Sequence, residues 1–391
     1  MVSTKRSQSG MMLRYRSMFT ACRGVGWASV ACALPGGKCV RGRYARGEPP
    51  EDGGIRIDAS RARHHPSAMI ARPRFAGPLA LIVLATLTPT AWLHAAQESA
   101  ESGPYQVYRG DGARASLDEI IEAAAAAEVV LVGEAHDDPT GHALEAELLR
   151  GLHAGRGESA GPLILSLEMF ERDVQYVLDE YLQGLISEDH FRRSARPWDH
   201  YESDYRPLVE FAREHGLAVV AANAPRRYVN LVTRRGPEAL EALGERARSF
   251  VAPLPYALPS PRYRAEWDSV MAEAMAEAPE ARRAEFSGRA LLAQSLWDAT
   301  MAHSIARALT DHPGALVLHV VGSFHVAHRT GIPEHLARYR PATRAVIVVM
   351  RPVDDIDTFD PGRDGGGEDF VILTERARTR TANPEKGHAG R

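Results

Sequence analysis

Residues 129–142 read VVLVGEAHDDPTGH, an apolar run that breaks into Glu134, His136, Asp137, Asp138 and His142. Glu134 and His136 are two positions apart, so on an extended backbone they point to the same side. A carboxylate and an imidazole so placed can share a proton or a cation. Glu168 closes a second apolar run, PLILSLE, and a carboxylate directly after a buried segment is costly unless paired. His136 or His325 is its expected partner. His325 itself follows a third run in VVGSFH, so the tetrad Gly-x-x-His occurs twice, in GEAH and in GSFH. Glu134, His136, Glu168 and His325 can do either of two kinds of work. Imidazole and carboxylate suit zinc, manganese or iron, with His136, His325 and Glu134 as ligands to a divalent metal. Alternatively the four act as general acid and base on a water molecule. Spacing alone does not choose between these.

What brings such residues together is an alternation of short apolar runs with helical patterns. The runs are Glu128 to Gly133, Pro162 to Glu168, Leu217 to Asn223, Ala315 to Gly322, Arg344 to Met350 and Asp369 to Thr374. Most are apolar on successive residues, which is how strands covered on both faces of a parallel sheet read. Helical patterns lie between them at Leu117 to Ala127, Pro139 to His153, Asp173 to Gln183, Tyr205 to His215, Pro225 to Arg235, Arg262 to Ala278 and Glu285 to Leu309. The fold class is therefore α/β, a mostly parallel sheet flanked by helices. In such sheets ligands bind beyond the carboxyl ends of the strands. Glu134 with His136, Glu168, Asn223 and His325 all stand at such ends. Asp137 and Asp138 before Pro139 read as helix capping. Gly133 and Gly322 fit close backbone approach, and His319, inside its strand, reads as a satisfied core histidine.

Two insertions depart from plain alternation. Residues 171–213 and 249–310 are expected to form a smaller helical cap over one end of the sheet, within a domain spanning 97–375. The tail 376–391 is polar and basic and reads as disordered. At the other end, Arg72 and Arg74 precede an apolar run from about Ala76 to Leu93, followed by Ala95 and Ala96. That order is a secretory signal peptide over 69–96, with cleavage near Ala96 and export to the periplasm or envelope as the consequence. Translation is then expected to begin at Met69, with 1–68 a mis-assigned or disordered extension. Cys22, Cys32 and Cys39 all fall in that extension, so neither a disulfide nor a lipid anchor on an N-terminal cysteine is expected. The roughly 290 residues that remain can bury a substantial core. A formal net charge of −3 over 391 residues gives no reason to expect a nucleic-acid partner.

GEAHDDP, SLEMFERDVQ, PWDHY with DYRPLVEFARE, VVAANAPRR, LLAQSLWDATMAHSIA and VVGSFHVAHRTGIPEHL, in that order, resemble the ChaN family of haem-binding uptake proteins. That family lies in the superfamily of Tiki and TraB proteins and is related to erythromycin esterases. The resemblance runs from about Val129 to Leu336. It implies a parallel-sheet domain with a smaller helical domain, export to the cell envelope, and haem binding linked to iron uptake, with envelope uptake components as partners. It also implies a homodimer holding haem at its interface through a tyrosinate on the iron. Tyr263 and Tyr256 are the candidates for that ligand, with Tyr201 and Tyr205 outside them. Arg262 and Arg264 favour Tyr263, because they would lower the cost of a phenolate and could reach propionates. The C-x-x-C-H spacing is absent, so such haem would be non-covalent. Two departures stand out: GHALEAELL keeps only His142 where many members carry a His pair and a Gln, and the lipoprotein cysteine is missing. The wider superfamily implies a second activity, a Tiki-like peptidase or an esterase. In it Glu134 or Glu168 would activate water, while His136 and His325 bind metal or stabilise charge.

Overall fold

The computed structural model describes residues 103–157, 160–274 and 280–376. The N-terminal extension, the signal-peptide segment, all three cysteines and the tail from 377 onward lie outside the described residues. Eight strands form one sheet in the order β2-β1-β8-β7-β3-β6-β4-β5. They are β1 Tyr105–Arg109, β2 Arg114–Ala115, β3 Val129–Glu134, β4 Leu163–Glu171, β5 Ala218–Asn223, β6 Leu316–Gly322, β7 Ala345–Val353 and β8 Phe370–Glu375. The six from β8 to β5 run parallel, and β1 and β2 join antiparallel at one edge. The six parallel strands match the six apolar runs to within a few residues.

Successive side chains of a strand face opposite ways, and both faces here are covered. Val130 and Val132 of β3 pack into one apolar cluster, while Val129 and Leu131 pack into another. The first face carries α1 (Leu117–Ala124), α2 (Pro139–Ala154), α3 (Gln175–Leu182), α4 (Glu188–Ala195), α5 (Tyr201–Asp204) and α6 (Arg206–Glu214). Residues Val174 to Ala212 thus share a core with the sheet and do not form a separate cap core. The short helices α7 (Arg226–Arg235) and α8 (Glu245–Arg248) follow β5. Next come α9 (Pro261–Ala274), the long α10 (Glu280–Asp311) and α11 (Ile332–Tyr339). The C-terminal half of α10 and α11 cover the second sheet face. Beyond it, α9 and the N-terminal part of α10 close a small cluster of Tyr263, Trp267, Val270, Met271, Leu291 and Phe324.

Asp138 caps α2 as its sequence suggests, accepting from Thr140 N–H at 3.1 Å, with Pro139 at the first helical position. Its other oxygen accepts from Thr374 Oγ1 at 2.6 Å, which ties the helix start to β8. Gly133 and Gly322 both sit where a Cβ has no room. At Gly133 it would come 2.9 Å from Ser323 Cα, and at Gly322 it would come 2.9 Å from the His136 ring.

Candidate functional site

Parallel register sets the chemistry side by side. Glu134 at the end of β3 lies opposite Gly322 at the end of β6, and β4 runs along the other side of β6. His136 Nδ1 is 2.7 Å from Glu134 Oε1, and the Tyr205 hydroxyl donates to the same oxygen at 2.9 Å. Glu168 Oε2 accepts the Gly322 N–H at 2.7 Å, and its Oε1 is 3.5 Å from His325 Nε2. His325 Nδ1 is held by Asp298, whose second oxygen accepts the Tyr263 hydroxyl at 2.5 Å. The carboxylates and His325 are buried, whereas the His136 side chain keeps 17% of its surface exposed. The half-buried Trp198 meets that imidazole edge-on at 4.9 Å between centroids, and Arg226 stacks over the same indole at 5.5 Å. His136, Trp198 and Arg226 therefore form the mouth of the site.

The electrostatics follow from this pairing. Burial disfavours the Glu168 carboxylate, but His325, His136 and the Gly322 N–H outweigh it and bring its pKa down to about 2. Burial alone would drive protons off His325, yet Glu168 and Asp298 push its pKa up to about 10. Glu134 likewise stays below the ordinary carboxylate range: the pull of His136 and His142 exceeds the cost of burial. His136 is raised because Glu134 more than offsets its own burial. At neutral pH the Glu168 carboxylate thus faces a His325 imidazolium, and Glu134 favours the protonated form of His136. A water at the mouth can meet an imidazolium acid, His136, with the Glu168 carboxylate as its base. His319 behaves as a core residue: it is fully buried, its Nδ1 is 2.9 Å from Ser166 Oγ, and burial lowers its pKa to about 3.

The structure thus brings together Glu134, His136, Glu168 and His325 and leaves the fourth strand end out. Asn223 is buried with its Oδ1 accepting the neighbouring Ala224 N–H. The expectation for Tyr263 needs correction. Its phenol is enclosed on Asp298, and burial followed by the Asp298 charge raises its pKa well above the ordinary value. Arg262 and Arg264 are exposed and do not ease a phenolate; Arg262 donates instead to the Gly366 carbonyl. Tyr256 is also buried, with its hydroxyl on the Leu292 carbonyl at 2.9 Å, and burial raises it too. Sequence reasoning missed Asp298, Gln294, whose side-chain amide lies 3.1 Å from His325 Nε2, Tyr205 as a Glu134 donor, and Glu145. The signal was present in a Gln294/Asp298 pair one turn apart on α10 and a His142/Glu145 pair on α2. Among the described residues, the trio whose ligand atoms converge to within 4.8 Å is Glu134, His142 and Glu145. It is not His136 and His325 with Glu134, because Asp298 and Glu168 already engage both nitrogens of His325.

A family model described as haem-binding uptake, Tiki superfamily, ChaN matches residues 120–336. The chloroplastic protein RETICULATA-RELATED 5 of Arabidopsis thaliana is 26% identical over 236 residues, 58% of this chain but 31% of that protein's length. ChaN of Campylobacter jejuni, solved with cofacially bound haem, superposes with a TM-score of 0.53 at 16% identity, covering 69% of this chain and 97% of that one. This shows a shared fold. An erythromycin esterase in its open conformation reaches a TM-score of 0.37 at 14% identity over 70% of this chain and 83% of its own, too remote to carry an argument. The matched span takes in both Gly-x-x-His tetrads and every side chain of the crevice, and the chain belongs to the ChaN family of haem-binding uptake proteins in the Tiki superfamily.

Proposed function

We propose that this protein is exported to the cell envelope and binds haem there as a homodimer in the service of iron uptake. The observation that carries the reading is the family match across 120–336. The order of basic, apolar and small residues over 69–96 supports export. The four sequence-singled tyrosines do not fit an axial iron ligand as folded. Tyr201, Tyr205, Tyr256 and Tyr263 are all buried, and the last three hydroxyls are engaged by Glu134, Leu292 and Asp298. Tyr176 on α3 is 63% exposed, so it is a phenol that a planar ligand can reach. Titration of the purified protein with haemin, followed in the visible spectrum, tests the reading. A saturable high-spin tyrosinate spectrum that survives Tyr263→Phe and Tyr256→Phe is expected, with Tyr176→Phe as the informative variant. A spectrum that never saturates would sink it.

A second reading is favoured by the crevice itself: a hydrolase acting on an ester or amide at the strand ends. Its support is a buried Glu168 carboxylate whose charge favours a protonated His136, the one partly exposed histidine of the cluster. Glu168 would take a proton from water and His136 would protonate the leaving group. Turnover of model esters and peptides should fall at least a hundredfold in Glu168→Gln and in His136→Ala, in the range a positioned acid or base supplies. Equal turnover in all three proteins would exclude this use of the crevice.

A further inference from the structure

Behind the crevice, on the side away from Glu168, two more carboxylates close on one imidazole. His142 is buried on the first turn of α2. Its Nε2 is 3.3 Å from the His136 carbonyl oxygen and 3.6 Å from Asp204 Oδ2. A carbonyl offers only lone pairs, so Nε2 carries a hydrogen; Glu134 and Glu145 favour a second proton on Nδ1, and an ion that displaces that proton meets the Nδ1 lone pair. Nδ1 lies 2.8 Å from Glu134 Oε2 and 3.5 Å from Glu145 Oε2. The Glu145 side chain has no solvent exposure, and its other oxygen has no hydrogen-bond partner. Leaving a buried carboxylate oxygen unpaired is costly, and the cost is relieved when a cation sits among the oxygens.

We propose that Glu134, His142 and Glu145 bind one divalent transition-metal ion, with Asp204 and the His136 carbonyl orienting the imidazole from behind. Two carboxylates and an imidazole whose Nδ1 proton the ion displaces carry a formal charge that a divalent ion cancels. One nitrogen with two oxygens suits manganese, iron or zinc over softer ions. A hydrogen bond from the outer nitrogen of a ligating histidine to a carbonyl or carboxylate is the usual support for such a ligand. Three protein ligands leave coordination positions open. The site shares Glu134 with the crevice but not His136, Glu168 or His325, and it does not depend on haem.

The purified protein, stripped with a chelator, is titrated with MnCl2 and followed by calorimetry and by loss of the free Mn2+ resonance signal. About one ion per chain is expected. Glu145→Gln, which keeps the side-chain volume, should weaken binding by tenfold to a hundredfold. His142→Gln is the second variant should the first fail to fold, and Glu168→Gln should bind as the unaltered protein does. No saturable Mn2+ binding by the unaltered protein, or equal affinity in Glu145→Gln, overturns the proposal. Loss in Glu168→Gln but not in Glu145→Gln overturns it as well, and assigns the ion to the strand-end histidines. Failure of this site leaves the hydrolytic reading intact, because that reading is judged by turnover.

Discussion

Asp298→Asn tests how much of the crevice rests on a residue two layers from its mouth. Asp298 accepts the Tyr263 hydroxyl and holds His325 Nδ1, while Glu168 faces Nε2 of the same ring. The two carboxylates together move His325 from an ordinary value of 6.5 to about 10 against the pull of burial. Glu168 is the larger of the two charges acting on the ring, and Asp298 is the one that also holds Nδ1. Asparagine keeps the shape and one acceptor, so if its oxygen stays on Tyr263 both the charge and the acceptor for His325 Nδ1 are lost. Because the folded pKa is raised, the contribution is fully present below pH 6.5 and is lost as pH climbs through 10. Urea denaturation from pH 6 to pH 10 should therefore show the variant less stable at pH 6 by about 1.5–3 kcal/mol, the size of a hydrogen bond to a charged group, with the gap closing toward alkaline pH. His136 and His142 are raised as well, so both proteins lose stability in alkali; the difference between them isolates His325. Two parallel curves, or no gap at pH 6, would refute the pairing of Asp298 with a charged His325.

Gly133→Ala places a Cβ 2.9 Å from Ser323 Cα, a backbone atom that cannot swing aside. It should cost about 1–3 kcal/mol in urea denaturation, and an unchanged midpoint would show that β3 and the 323–325 turn are not in close contact. Arg172 is half-buried, and its guanidinium donates to Ser304 Oγ and to the Val251 and Thr300 carbonyls. Arg172→Lys keeps the charge but not the fork, so a loss of about 2 kcal/mol is expected by thermal denaturation. Tyr263→Phe removes one of the two groups bound to Asp298, with an expected cost of about 1–3 kcal/mol and no change in the haemin spectrum.

The parallel strands were legible because both faces of the sheet are covered, which leaves unbroken runs such as VVLV and VLHVV. The edge strands β1 and β2 were not, because YQVYR mixes polar and apolar residues and pairs antiparallel at the margin of the sheet. The same division runs through the site. Glu134, His136, Glu168 and His325 close apolar runs, so their position announces them. Glu145 and Asp298 sit inside helices, where an acidic residue reads as part of a solvated face unless its neighbours one turn away are examined. His142 with Glu145, and Gln294 with Asp298, are the polar pairs that mark buried stripes. The Tyr263 expectation failed for a related reason. Arg262 and Arg264 flank it in sequence, but on a helix adjacent residues point about 100° apart, so both arginines are exposed, with Arg262 on the Gly366 carbonyl, while the phenol faces Asp298.

A charged interior is weak evidence for stability, since well-packed apolar residues of similar volume often serve as well or better. Glu134, His142, Glu145, Glu168, Asp298 and His325 are all buried in one neighbourhood, each compensated by another. Stability alone does not call for such an arrangement at the carboxyl end of the sheet, where α/β proteins bind their ligands. Haem at the surface does not call for it either, because the tyrosines nearest the crevice are sealed by the same network that fixes the acids. A group that must stay ionised away from bulk water, beside a histidine that alone of the cluster reaches the mouth, is the arrangement that binding or acid–base chemistry requires. The haem-binding reading and the crevice therefore make separate demands on separate residues, and variants in one leave the other free to be measured.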